Sequence, residues 1–163
     1  MSTGTTTSFR ELTKTRLQGS LDRYRKDIKH FTDEQFASCP GGEARSPLAI
    51  TAEVGLFNHA CAKIISGEDM PEMTEQAIGE VMASIDTREK ATEKLISGTA
   101  ALETAIVAAS DDDYQNEVKA PWGQTVTKQY MAEACCMHMD YHDGQLNIIQ
   151  CMNGDTTVHW MEE

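Results

Sequence analysis

Residues 125–153 read TVTKQYMAEACCMHMDYHDGQLNIIQCMN, and no helix breaker except Gly144 interrupts them before Asn153-Gly154, a pair suited to a left-handed helix stop. The stretch predicts one long helix. A helix of twenty-odd residues spans roughly 30 Å, so it buries its apolar face only against partners of similar length. Working back along the chain, three such partners emerge. Asp86-Thr87-Arg88-Glu89 has the form of a capping box, and Ala91, Leu95, Leu102, Ile106 and Ala109 follow on one stripe, giving a third helix that ends near Ser110. Ser46-Pro47 reads as an N-cap followed by the first helical residue, because proline has no N–H to leave unsatisfied there, and opens a second helix over 47–66. Phe9, Leu12, Leu17, Leu21, Tyr24, Ile28 and Phe31 recur at helical steps and define the first.

Between these helices, Thr32-Asp33-Glu34-Gln35 predicts a short capped turn, Pro40-Gly41-Gly42 a loop, and Gly67 to Pro71 a linker. Asp111 to Gly123 reads as a polar connection closing on Pro121-Trp122-Gly123, and no stretch shows the period-two alternation of a strand. The expectation is an all-α four-helix bundle forming a single domain over residues 1–163, with 1–8 frayed and 155–163 a C-terminal tail.

Hydrophobic residues make up 40% and charged residues 25% of the 163, a mix that argues against disorder and for one ordinary core. Lys+Arg 14 against Asp+Glu 26 gives a formal charge of -12, which repels phosphate backbones and anionic lipid, so nucleic acid is not an expected partner. Charged and polar residues such as Glu53, Asn58 and Lys63 break the most apolar windows, and no membrane helix is expected. The first residues, MSTGTTTSFRE, lack the basic start and apolar run of a secretory signal. Cys39, Cys61, Cys135, Cys136 and Cys151 are odd in number, and the adjacent pair could hardly bridge, so reduced thiols and a cytoplasmic protein are expected.

The chemistry concentrates in His138-Met139-Asp140-Tyr141-His142. Two imidazoles one turn apart point within about 40° of each other and chelate one ion naturally. An HxxxH pair also arises by chance on solvated faces. Here Met131, Cys135, Gln145 and Ile149 share roughly the same side of the helix, so the pair faces a core, where each ring needs a metal or a hydrogen-bond partner. Imidazole nitrogen suits zinc, nickel, copper and iron, and a third ligand is needed for firm binding. His59, mid-way along the second helix, is the best candidate. The aliphatic stripe of that helix (Ile50, Val54, Phe57, Ile64) points away from it, but its own flank of Ala52, Gly55 and Ala62 is small enough to leave room for an ion or substrate. On spacing alone, ligand and bystander remain equally open for His59.

The run from His138 to Gln150, with Gly154-Asp155 and His159-Trp160, resembles the closing segment of DinB-like (damage-inducible B) proteins. Trp122-Gly123 before the last helix, Thr87-Arg88-Glu89 opening the third, and a histidine late in the second fall in the same order. The resemblance implies a four-helix bundle, often dimeric, in which His59, His138 and His142 hold a divalent metal, Zn or Ni foremost with Fe or Mn as further choices. It also implies kinship with metal-dependent transferases that activate a low-molecular-weight thiol such as bacillithiol or mycothiol toward a small electrophilic substrate. A fold hosts many reactions, and the alternative is a non-catalytic small-ligand or protein-binding bundle with a structural or absent metal.

The other polar residues receive plainer expectations. Cys135 could ligate, but packing is the commoner role of a small thiol in a helix core. Gln145 is placed to orient a bound water, Asp140 and Asp143 to be solvated or to pair with cations, Tyr141 to pack rather than supply a hydroxyl, and His30 and His159 to be surface or terminal. Glu53 stands about 120° from His59 around the helix and is expected to be exposed.

Overall fold

Ser8, Ser46, Thr87 and Thr127 each accept the backbone N–H of the residue three positions on, and each begins one of the four long helices. The structure, a computed structural model, describes residues 7–70 and 74–162. Its helices are α1 (Phe9–Lys29), α2 (Asp33–Ala37), α3 (Pro47–Ile65), α4 (Glu75–Ser84), α5 (Arg88–Ala108), α6 (Asp111–Tyr114) and α7 (Lys128–Met152). A hairpin of β1 (Glu117–Lys119) and β2 (Thr125–Thr127) precedes α7, and a 3-10 turn, His159–Met161, closes the described chain. Of the stretch expected to fray, 1–8, residues 1–6 lie outside the described residues, as do Pro71 of the expected linker and Glu163 of the expected tail.

Around the bundle, α1 packs on α7 and α5, and α3 packs on α5 and α7, so α1 and α3 stand diagonally and the segment joining them crosses one end. Their shared core includes Leu17, Tyr24, Val54, Leu95, Leu102, Ile106, Met131, Met139 and Leu146, all 0% exposed. The α3–α5 crossing is the tightest contact. A Cβ on Gly55 would stand 2.5 Å from the backbone of Lys94 and Leu95, and one on Gly98 would stand 2.1 Å from the Gly55 carbonyl oxygen. Glycine at both positions lets the two backbones touch. The small flank of α3 is therefore filled by α5. That flank is where the sequence suggested room for an ion.

Two short elements depart from expectation. The stretch after Gly67 holds α4 as well as a linker; Thr74 caps it, and none of its residues is buried. The polar connection contains α6 and the antiparallel hairpin, with Val118 opposite Val126 and Pro121-Trp122-Gly123 at its tip. Helix α3 has the length and composition of a membrane span, although half of its most apolar window is buried within the bundle. All five cysteines are free.

Candidate metal centre

Helix α7 brings His138 and His142 onto the face that meets α3, and their Nε2 atoms lie 3.0 Å apart. Across from them, Glu53 of α3 places its Oε1 3.7 Å from His138 Nε2 and 3.9 Å from His142 Nε2. These three residues form a group whose ligand atoms all lie within 4.8 Å of one another. A point equidistant from three atoms with those separations is about 2.1 Å from each, which is the bond length of zinc to imidazole nitrogen or carboxylate oxygen. The donor set fits a divalent cation.

The protonation of the pair suits the same role. Gln145 donates from Nε2 to the Tyr141 hydroxyl at 3.1 Å, so its Oε1, 2.7 Å from His142 Nδ1, is the acceptor there. The His142 proton therefore sits on Nδ1, and the Nε2 lone pair faces the group. His138 Nδ1 is buried with no hydrogen-bond partner. Burial lowers the pKa of both rings to about 4, helped at each by the nearby positive charge of Arg45. Both are neutral at pH 7, the state in which imidazole ligates.

Aromatic rings wall this group. Phe57 of α3 lies against the His138 ring at 4.3 Å between centroids and stacks on Trp122 of the hairpin tip at 6.0 Å. Tyr141 presents its ring to His142 at 5.1 Å. Arg45, just before the α3 N-cap, forms an ion pair with Glu53.

The three histidines expected to converge do not all do so. His138 and His142 meet, while His59 stays out of the group and Glu53 takes its place. The reason is helix rotation. Glu53 lies in register with Ile50 and Phe57, on the face toward α7, and His59 is about 120° away, beside the crossing with α5. Its backbone nitrogen would be 3.3 Å from a Cβ on Gly98, and burial with the charges of Lys63 and Lys94 lowers its pKa. The signal that could have found Glu53 was its spacing of three and four residues from Ile50 and Phe57, which puts it inside the aliphatic stripe.

Cys135 is fully buried, and the neighbouring Cys61 thiol of α3 together with burial holds its pKa well above the usual thiol range. Asp140 pairs with Arg16 and Arg23 of α1. Asp143, expected to be solvated or paired with a cation, is instead buried; burial and the neighbouring Asp27 carboxyl push its pKa up.

A second group gathers His30, His159 and Glu162 at the C-terminal end of α1. His159, expected to be surface or terminal, lies in the terminal turn but is only 5% exposed, stacked on His30 with ring centroids 3.5 Å apart. Its Nδ1 lies 2.7 Å from Glu162 Oε1 and its Nε2 2.7 Å from Asp155 Oδ2. Carboxylates only accept, so both ring nitrogens donate and neither keeps a lone pair for a metal. Burial works against that charge, but the bonds to Glu162 and Asp155 outweigh it and raise the pKa, while His159 holds Asp155 down at about 2.

No protein-family model and no curated protein sequence matches the chain. Among solved structures, a mycothiol-dependent maleylpyruvate isomerase aligns with a TM-score of 0.71 and 18% identity over 86% of this chain, which spans only 63% of that protein. A conserved protein from Enterococcus faecalis aligns with a TM-score of 0.73 and 13% identity, covering 90% of this chain and 98% of that one. A proposed DinB-family member from Exiguobacterium sibiricum gives 0.71 and 15%, covering 92% and 95%. At these identities the likeness concerns architecture, and the chain has the DinB-like four-helix fold.

Proposed function

We propose that this protein binds a divalent metal ion through Glu53, His138 and His142 and uses it in thiol-dependent transfer or isomerisation of a small electrophile. The observation that carries the reading is the meeting of two imidazole Nε2 atoms and one carboxylate oxygen, with separations of 3.0, 3.7 and 3.9 Å, between two helices. Three protein ligands leave coordination positions for a reactant, the pattern of catalytic rather than structural sites. A divalent ion held there supplies Lewis acidity, which favours the deprotonated form of a bound water or thiol near neutral pH.

The chain's own residues do the rest. Gln145 fixes the tautomer of His142, and Glu53 contributes the one negative charge of the set. Phe57 and Trp122 keep water from one side of His138, strengthening electrostatic interactions within the group. The thiol part of the reading is supported by the fold shared with a mycothiol-dependent isomerase.

The test has two stages. Zinc affinity is measured for the native chain, Glu53→Ala and His59→Ala, expecting a loss of roughly a hundredfold in the first variant and little change in the second. Conjugation of mycothiol, bacillithiol or glutathione to monochlorobimane is then followed with and without zinc. Zinc binding without any zinc-dependent rate across such a panel would contradict the enzymatic part and favour a non-catalytic metal-binding bundle.

A further inference from the structure

Beside the metal-binding group, a groove of about 460 Å³ runs between residues 40–50 and the C-terminal half of α7. Its walls are largely apolar, with Ile50, Ile148, Ile149 and Met152 among them, and among the described residues Arg45 is the one cation on its lining. Glu43 lies on the lining as well. The lining side chains that reach the metal-binding group directly include Gln145, through His142, and Arg45, through its ion pair with Glu53.

The second link has a consequence for charge. Without an ion, Arg45 and Glu53 neutralise each other. With a divalent ion on Glu53 and the two neutral imidazoles, the carboxylate is shared with the ion, and Arg45 together with the occupied group carries a net charge of about +2. Arg45 pairs with Oε2 of Glu53 while Oε1 faces the histidines, so one carboxylate charge is divided between two cations and the half-exposed guanidinium carries surplus positive charge on the groove lining. Its planar donors match a carboxylate bidentately.

We infer that this groove is a binding site for an anionic small molecule with an apolar body, a carboxylate above all, and that Arg45 is its anion-binding residue, its charge left uncompensated when Glu53 also engages the metal. The inference rests on the proposed metal site and names the substrate class of that site. Because coupling between two ligands is reciprocal, the anion must in turn tighten the ion. Arg45 works against the ion when the groove is empty and with it when the groove is filled.

Octanoate serves as the probe and octylamine as the charge control, each titrated calorimetrically with and without zinc into the native chain and Arg45→Gln. Zinc is expected to tighten octanoate about tenfold or more in the native chain, to leave octylamine unimproved, and to have no such effect on octanoate in Arg45→Gln. In the absence of octanoate, Arg45→Gln should bind zinc at least as tightly as the native chain, which also reports that the variant is folded. Zinc enhancement that persists in Arg45→Gln would overturn the inference, because the carboxylate would then be binding the ion itself. Zinc binding with no effect on octanoate would overturn it while leaving the metal site intact. Failure of the native chain to bind zinc would overturn both.

Discussion

Two histidines and at least one carboxylate meet at each of two places in this molecule, yet the two clusters are prepared for opposite chemistry. Between α3 and α7 the histidines are desolvated and neutral, and their Nε2 atoms meet across 3.0 Å with a single carboxylate nearby. At the C-terminal turn, His159 has a carboxylate on each ring nitrogen, at 2.7 Å, and is held as an imidazolium stacked on His30. Residue content alone does not separate a ligand set from an ion pair. The number of carboxylates that each ring nitrogen meets does, since every such contact fixes a proton where a metal needs a lone pair.

The largest expected effect that separates the clusters is stabilisation by metal. An ion that binds only the folded chain at 100 times its dissociation constant adds about 2.7 kcal/mol, worth roughly 5–11 °C in Tm for a chain of this size. Thermal melts should show that increment in the native chain and in His159→Gln, and lose it in His142→Ala. Loss in His159→Gln with retention in His142→Ala would reverse the assignment of the two clusters.

The pH dependence of metal-free stability should have opposite signs at the two sites. Unfolded histidines protonate near pH 6.5, whereas the folded His138 and His142 remain neutral down to about 4. Their contribution is thus complete above pH 6.5 and lost as pH falls toward 4, with a magnitude on the order of 2 kcal/mol. His159 is raised instead, so its contribution is complete below pH 6.5 and lost as pH rises through its folded value. Melting curves from pH 4 to 9 check this: His142→Gln should flatten the acid side, and His159→Gln the neutral-to-alkaline side. An acid side unchanged in His142→Gln would contradict the desolvation of the pair.

A smaller effect belongs to the C-terminal turn alone. Glu162→Gln weakens one of the two carboxylate contacts of His159 and the contact with His30, 3.2 Å in the native chain. Global stability should fall only slightly, because the exposed carboxylate is screened by solvent. Amide exchange should quicken near residues 159–161 and at the end of α1, with no change near Glu53. Altered exchange at the α3–α7 contact would show that the clusters are coupled rather than separate.

The sequence made the four long helices legible because each begins at a Ser or Thr cap and carries its own apolar stripe. It hid α4, which buries nothing, and the hairpin, whose three-residue strands are too short to show a period. The site divided the same way. His138 and His142 are four residues apart in one helix, so their convergence is local geometry. Their partner on α3 depends on how that helix is rotated, which is set by Gly55 seated on Gly98 of α5. Ala52, Gly55 and Ala62 looked like space for a ligand because small residues mark close approach without saying of what. Close approach of another backbone turns His59 aside and carries Glu53 toward the histidines.

The identity of the α3 ligand is the central claim, and anomalous diffraction from a zinc-soaked crystal, collected on both sides of the zinc absorption edge, tests it most directly. One strong peak is expected roughly 2.0–2.2 Å from Glu53 Oε1 and the Nε2 atoms of His138 and His142, with no peak at His159. A peak bound by His59 in place of Glu53, or one seated between His30 and His159, would contradict it.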